Sequence, residues 1–194
     1  MERATNTTLL IGRPGSGKGT QAKLLSEKLG WVGLSSGDRF KEIRDGSEPF
    51  SARVREIYDR GDLMPNWFAE YLLESGLLEL DQNVGVVMEG FGRTKSQAEH
   101  LHEITEWLGR NLVVINLEVS EEEAARRMES RSLVQDRPDS NGKEKIAIRL
   151  ANFARETGPA LEYFRSLGIV KDIDGELTPE GVAEEIQKAL QHDS

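Results

Sequence analysis

The chain has no cysteine among its 194 residues, and this absence excludes disulfide bonds and metal sites built from thiolates. Long hydrophobic runs are also missing, since the longest, residues 112–115, is far too short to cross a bilayer. Residues 1–6 lack the apolar core of a secretory signal. These absences predict a cytoplasmic protein with no membrane partner.

A surplus of positive charge is absent as well. The chain has 34 acidic and 25 basic residues, which give a formal net charge of -9. A protein without a broad basic face is poorly suited to a nucleic-acid backbone, so we expect no nucleic-acid partner and any phosphate site to be local. Hydrophobic residues make up 37% of the chain and charged residues 30%, which is typical of globular proteins. The length predicts a single domain, residues 1–194.

Short apolar runs alternate with amphipathic segments along the sequence. Strands are predicted at residues 7–11, 84–88, 112–117 and 169–173, with 31–34 as a candidate fifth. Helices are predicted at residues 21–29, 98–108, 121–128, 146–153 and 182–190. This alternation predicts an α/β fold with a parallel sheet covered on both faces. Two polar segments, 36–66 and 132–142, interrupt it, and inserted segments of this kind can act as mobile covers.

A glycine-rich segment, residues 12–20 with the sequence G-R-P-G-S-G-K-G-T, follows the first predicted strand and opens the first predicted helix. Glycines let backbone N–H groups curl around phosphate oxygens, while the helix N-terminus and Lys18 add positive charge. A glycine-rich turn with a solvated lysine is the alternative, but the strand-loop-helix setting favours a phosphate-binding loop. The residues predicted to bind phosphate are Gly15, Ser16, Gly17, Lys18, Gly19 and Thr20.

Several arginines follow at spacings that allow them to converge. Two phosphate groups that approach within bonding distance repel each other, so cations must offset their charge. Arg127 and Arg131 are four residues apart on a predicted helix and share one face, whereas Arg126 is rotated away. Arg137 lies in the second polar segment, and Arg149 lies on the next predicted helix.

The glycine-rich segment carries Gly19 where a serine or threonine is expected after the lysine. With this departure, residues 12–21 resemble the phosphate loop G-x-P-G-x-G-K-G-T-Q of the adenylate kinases and related nucleoside monophosphate kinases. Further motifs continue in the order of that family: L-S-S-G-D at 34–38 is similar to I-S-T-G-D, G-D-L-M-P at 61–65 to G-x-L-V-P, and E-G-F-G-R-T at 89–94 to D-G-F-P-R-T. Arginines then fall on the family's positions before, within and after its lid. Motifs in matching order span residues 9 to about 179, so the resemblance covers nearly the whole chain.

The resemblance implies a P-loop NTPase fold with a five-stranded parallel sheet, an acceptor-binding helical insert at about residues 36–66 and a short lid at about 132–142. It implies a monomer that transfers a phosphoryl group reversibly and in line from ATP to AMP, with Mg²⁺ as cofactor. It assigns catalysis to cationic side chains, namely Lys18, Arg93, Arg127, Arg131, Arg137 and Arg149.

The same resemblance assigns the nucleotide contacts. Beyond the phosphate loop, ATP is expected to contact Arg127, Arg131 and the backbone of Gly175, Glu176 and Leu177. AMP is expected to contact Ser36, Lys41, Asp62, Leu63, Met64, Gly90, Phe91, Gly92, Arg93, Gln97, Arg137 and Arg149. Asp38 and Glu89 are expected to meet Mg²⁺ through its waters. The hydroxyl of Ser36 and the amide of Gln97, which can both donate to and accept from adenine, favour AMP over CMP or UMP.

Three positions depart from the family pattern, where Lys41 replaces an arginine, Glu89 an aspartate and Gly92 a proline. A lysine supplies charge on the acceptor phosphate but not the bidentate fork of an arginine. Three alternatives stay open: a UMP/CMP kinase, a P-loop kinase for another small acceptor, and a nucleotide-binding regulator that no longer catalyses. Lys18 together with the arginines argues against the regulator.

Overall fold

The computed structural model describes residues 6–132 and 142–191. Its five strands pair in parallel in one sheet, in the spatial order β2-β3-β1-β4-β5. The strands are β1 (Thr7–Gly12), β2 (Val32–Ser35), β3 (Val86–Glu89), β4 (Leu112–Glu118) and β5 (Val170–Asp174). The predicted α/β fold and its five-stranded parallel sheet are confirmed, and the candidate fifth strand forms the β2 edge.

Nine α-helices lie in the described ranges. They are α1 (Lys18–Leu29), α2 (Ser36–Asp45), α3 (Ser51–Arg60), α4 (Asn66–Leu78), α5 (Lys95–Trp107), α6 (Glu121–Ser132), α7 (Lys143–Asn152), α8 (Gly158–Ser166) and α9 (Pro179–Gln191). One turn of π-helix, Phe153–Thr157, joins α7 to α8.

Four of the predicted helices start three residues too late. The first three residues of α1, α5, α7 and α9 include no apolar side chain other than Pro179, so the apolar periodicity of these helices begins only after them. The patterns do not predict α4 and α8 at all. Apolar residues run around all sides of α4, which leaves no one-sided stripe, and α8 opens with Gly158 and Pro159, which are typical of a break.

The sheet buries both of its faces. Neighbouring residues on a strand point to opposite sides, so Leu9 packs with α4, α5 and α8 on one face, while Leu10 packs with α1 and α9 on the other. Val114 and Ile115 repeat this division on β4. Burial on both faces explains why these strands read as continuous apolar runs in the sequence.

A separate apolar cluster holds α2, α3 and the start of α4 together, with Phe40, Ile43, Val54 and Phe68 as its centre. These helices occupy the segment where a helical insert is predicted. The segment starts at the carboxyl end of β2, where the Ser35 hydroxyl accepts a hydrogen bond from the backbone N–H of Asp38 and caps α2. Residues 133–141, which make up most of the predicted lid, lie outside the described residues.

Because every strand points the same way, all five carboxyl ends meet at one edge of the sheet. The glycine-rich loop follows β1, α2 follows β2, residues 90–94 follow β3, α6 follows β4 and residues 175–178 follow β5 at this edge. The topology thus brings together segments that are up to about 160 residues apart in sequence. Within the described ranges, no helix is long and apolar enough to span a bilayer.

Candidate active site

A cleft of about 1060 Å³ opens at the carboxyl edge of the sheet. This volume lies at the upper end of the range of small-molecule sites. The predicted phosphate and nucleotide residues that line the cleft are Gly15, Ser16, Gly17, Lys18, Gly19, Thr20, Asp38, Leu63, Glu89, Gly90, Phe91, Arg93, Arg127, Arg131, Arg149, Gly175, Glu176 and Leu177.

The glycine-rich loop is shaped by contacts that only glycine permits. Gly15 has φ +87°, and a Cβ at this position would lie 2.5 Å from the carbonyl oxygen of Ala124. Lys18 folds back over the loop, where its Nζ donates to the carbonyl oxygens of Gly12 at 2.7 Å and Arg13 at 2.9 Å. The loop therefore packs against the start of α6, and its lysine lies inside the turn that it closes.

Charges from several elements converge on Lys18. Burial lowers the pKa of its ammonium group to about 7; Glu89 opposes this shift, whereas Arg93, Arg149 and Arg131 add to it. Lys18 and these three arginines all line the same cleft. The cleft is therefore concentrated in positive charge, although the whole protein carries a formal net charge of -9.

Two carboxylates, one at the end of β3 and one on the helix that follows β2, line the cleft beside this cationic cluster. Glu89 ends β3 and accepts a hydrogen bond from the hydroxyl of Ser35, while Asp38 lies in the first turn of α2. Both side chains line the cleft with Lys18. Mg²⁺ in kinases is held by one or two carboxylates together with substrate phosphates, and this pair fits that requirement.

A smaller cavity of about 80 Å³ adjoins the cleft beneath α2 and α3. Arg93 and Arg149 line both spaces and so stand at their junction. The predicted acceptor residues that line the smaller cavity are Asp62, Leu63, Met64, Gly90, Arg93, Gln97 and Arg149. The phosphate loop and the predicted acceptor residues thus line two spaces that share Arg93 and Arg149.

The amide of Gln97 has a fixed orientation in the smaller cavity. Its Oε1 accepts from the backbone N–H of Arg93 at 3.0 Å, and its Nε2 donates to Oδ1 of Asn66 at 2.9 Å. The backbone N–H can only donate, which fixes the oxygen end of the amide. Each end of an amide supports a second hydrogen bond, so Gln97 keeps one donor and one acceptor for a ligand.

This arrangement of a phosphate loop, an arginine cluster and a second cavity agrees with the comparisons to known proteins. A sequence model described as adenylate kinase matches residues 10–169. The chain belongs to the adenylate kinase family. Its relatives include the adenylate kinases of Thermobifida fusca, 36% identical over 183 residues, and of Thermus thermophilus, 37% identical over 183 residues. The match covers 94% of this chain and 96% and 95% of these relatives.

The adenylate kinase of Caulobacter vibrioides is 38% identical over 185 residues, which cover 94% of this chain and 96% of that relative. These relatives therefore match nearly the whole of this chain over nearly their whole length. The resemblance found in the sequence is confirmed, and the protein is a phosphotransferase of the adenylate kinase family with nucleoside monophosphate kinase function.

Some residues that the family pattern assigns to the acceptor do not face a cavity. Among the described residues, Ser36, Lys41 and Gly92 lie outside the lining of both spaces. Lys41 is exposed on α2, and a Cβ at Gly92 would meet the side chains of Leu9 and Phe164, so Gly92 is turned toward the core. Arg137 lies outside the described residues.

Ser36 supports the loop after β3. It is fully buried, and its hydroxyl donates to the carbonyl oxygen of Gly90 at 2.8 Å. Gly90 has φ +84°, and a Cβ there would collide with the Ser36 hydroxyl. Gly90 therefore lines the cavities, while Ser36 does not line them and stabilises the loop through its hydrogen bond to Gly90.

Asn66 and Glu123, which hold the predicted site residues Gln97 and Arg127 in place, were not predicted from the sequence. Asn66 contacts Gln97, which is 31 residues away, and sequence periodicity carries no signal for such a contact. Glu123 accepts from Nε of Arg127 at 2.6 Å, and its position four residues before Arg127 on one helix is a signal that was available. Hydrogen bonds from Arg126 and Arg127 lower the pKa of Glu123 to about 2.

The lowered pKa of Lys18 predicts a specific dependence of stability on pH. Between pH 7 and the ordinary value of 10.5, the unfolded chain binds a proton on this lysine that the folded chain lacks. Below pH 7 the burial of the charged Lys18 therefore lowers the free energy of unfolding by its full amount. This destabilisation disappears as the pH rises toward 10.5. Replacing Lys18 with methionine removes a cost that is largest at low pH.

We expect the stability gained by Lys18→Met, relative to the wild type, to fall steadily from pH 7 to pH 10. Urea unfolding of both proteins at pH 6, 7, 8, 9 and 10 measures this difference in the free energy of unfolding. A difference that does not change with pH would show that folding does not desolvate the ammonium group of Lys18.

Proposed function

We propose that this protein catalyses the reversible transfer of the γ-phosphoryl group from ATP to AMP, which yields two molecules of ADP. The observation that carries the proposal is the junction between the two cavities. Arg93 and Arg149 line both of them, Lys18 and the phosphate loop lie on one side, and the fixed amide of Gln97 lies on the other.

The transfer is direct and in line. An oxygen of the acceptor phosphate attacks the γ-phosphorus of ATP, and the bond from that phosphorus to the β,γ-bridging oxygen breaks, so ADP leaves with the bonding electrons. The attacking oxygen is already anionic at neutral pH, and no general base is needed. Catalysis then comes from positioning and from the charge of Lys18 and the arginines.

Each part of the site has a distinct role in this proposal. Backbone N–H groups of the loop and Lys18 hold the donor phosphates, as helix N-termini commonly do. Arg93 and Arg149 hold the acceptor phosphate at the junction, and Arg131 faces the same cluster from α6. Asp38 and Glu89 would hold Mg²⁺ through its waters, and the ion would supply further charge neutralisation on the donor phosphates.

The helices α2 and α3 and the segment around residues 132–142 are proposed to close over the nucleotides. The α2–α3 unit packs through one apolar cluster onto the start of α4, and the rest of α4 packs on the sheet, so the unit would move relative to the sheet at this contact. Nζ of Lys145 on α7 donates to the carbonyl oxygen of Asp59 on α3 at 2.9 Å, which links the helix after the proposed lid to this unit. Closure would exclude water and suppress ATP hydrolysis.

A coupled assay with ATP and a panel of acceptors tests the proposal. The panel is AMP, CMP, UMP, GMP and no acceptor, each at several concentrations. We expect ADP to form fastest with AMP and hardly at all without an acceptor. Faster turnover with UMP or CMP would indicate a pyrimidine-directed kinase, and ATP binding without consumption of any acceptor would indicate a regulator.

Base choice is expected to depend on Gln97. A buried amide that is matched to adenine leaves unpaired groups when another base enters, at a cost of roughly 1–3 kcal/mol per group. The wild type should therefore prefer AMP over CMP by at least about tenfold in kcat/KM, and Gln97→Ala should reduce that ratio toward one.

Gln82→Ala is the matched control, because Gln82 is an exposed glutamine just before β3, at the opposite edge of the sheet from the cleft. Steady-state kinetics with AMP and CMP on the three proteins give the ratios. If Gln97→Ala keeps the AMP preference of the wild type, the base is read elsewhere.

A further inference from the structure

One guanidinium group on α6 bridges the helix and the loop after β5. Nε of Arg127 donates to Oε1 of Glu123 at 2.6 Å, and a terminal nitrogen of Arg127 donates to the carbonyl oxygen of Gly175 at 2.8 Å. Both charged side chains are largely shielded, with 27% of Arg127 and 21% of Glu123 exposed. The carboxylate of Glu123, which also accepts two hydrogen bonds from Arg126, is therefore the one side chain seen, among the described residues, to hold the guanidinium of Arg127 against the carbonyl oxygen of Gly175.

The loop that Arg127 contacts is fixed on its other side as well. The backbone N–H of Gly175 donates to the carbonyl oxygen of Glu118 at 2.8 Å, and a Cβ on Gly175 would lie 2.7 Å from Cγ2 of Val119. The carboxylate of Glu176 accepts from the backbone N–H of Ser120 at 2.8 Å. The loop is thus clamped between the end of β4 and the side chain of Arg127, at the wall of the cleft.

We propose that Glu123 is a positioning residue for the donor nucleotide. It holds Arg127 against Gly175 and so keeps both the guanidinium and residues 175–177 in place before ATP arrives. This role rests on the proposed function, in which ATP is the donor. An arginine has five N–H donors, so the two that Arg127 uses leave others for an anionic ligand. A side chain that is already held in place loses less freedom on binding, which favours affinity.

A second effect of Glu123 has the opposite sign. Its carboxylate adds negative charge to a cleft that has to accept the negative charge of ATP, so by Coulomb repulsion alone its removal should tighten binding. Positioning predicts that removal weakens binding. The direction of the change in affinity therefore separates the two roles.

Calorimetric titration of ATP, without acceptor, into the wild type and three variants tests the role. Glu123→Leu removes both charge and acceptor, Glu123→Gln keeps an oxygen that can accept from Arg127, and Glu122→Leu is the matched control on an exposed residue of the same helix. AMP is titrated into the same four proteins. We expect Glu123→Leu to raise the Kd for ATP at least about fivefold, with all AMP values within about twofold of the wild type.

Glu123→Gln should lie closer to the wild type than Glu123→Leu, and Glu122→Leu should bind ATP as the wild type does. Unchanged or tighter ATP binding by Glu123→Leu, equal weakening for ATP and AMP, or the same loss in Glu122→Leu would overturn the role. A wild type that binds no ATP would instead refute the proposed function and this role with it.

Discussion

Lys18→Ala is expected to lower turnover at least about a hundredfold while the fold stays intact. A preorganised cation beside a developing negative charge contributes a few kcal/mol to the transition state, because it needs no reorganisation when the reaction occurs. The side chain already lies inside the phosphate loop, held by the carbonyl oxygens of Gly12 and Arg13. Truncation removes this charge from the point where the arginines also converge.

Lys28→Ala is the control for this change, since Lys28 is an exposed lysine in the last turn of the same helix. Steady-state assays with saturating ATP and AMP compare kcat for the three proteins, and circular dichroism checks that they are folded. Near-normal turnover in folded Lys18→Ala would refute the assignment of this loop as the site of phosphate transfer.

Arg93→Ala is expected to reduce kcat/KM for AMP by at least about a hundredfold as well. Its guanidinium stands at the junction of the two cavities, where a bidentate contact can hold an acceptor phosphate in line with the donor. The substitution should leave the orientation of Gln97 unchanged, because the backbone N–H of Arg93 holds the Gln97 amide and is still present in the variant.

Arg93→Lys should recover only part of this loss, since a lysine restores the charge but not the planar fork. Arg53→Ala is the matched control, on an arginine of α3 whose side chain is 77% exposed and pairs only with Glu56 among the contacts described. Kinetics with varied AMP at saturating ATP separate kcat from KM. If Arg93→Ala retains the wild-type kcat/KM, the acceptor phosphate is bound elsewhere.

Local chemistry explains what the sequence could predict. The phosphate loop consists of residues that are adjacent in the chain, so it appears as a contiguous motif. The strands are buried on both faces, so they appear as continuous apolar runs. Helix ends, and helices without a one-sided apolar stripe, show little apolar periodicity in the sequence. The start of α1 and the whole of α4 were missed for these two reasons.

Contacts between distant residues explain what the sequence could not predict. Gln97 meets Asn66 across 31 residues, and Arg127 meets Gly175 across 48, because the sheet topology brings α4, α6 and the loop after β5 to one edge. Family motifs assigned Ser36, Lys41 and Gly92 to the acceptor, yet they do not line the cavities in the described part of the chain. Motif spacing does not specify which way each side chain turns.

The stoichiometry of the reaction tests most directly the central claim, which is phosphoryl transfer from ATP to AMP. Phosphorus NMR of ATP and AMP mixed with the protein and Mg²⁺ follows every phosphate in one sample. We predict that two molecules of ADP appear for each ATP and AMP consumed, that no inorganic phosphate forms, and that the same equilibrium is reached from ADP alone. Release of inorganic phosphate from ATP while AMP stays unchanged would contradict transfer to a nucleoside monophosphate.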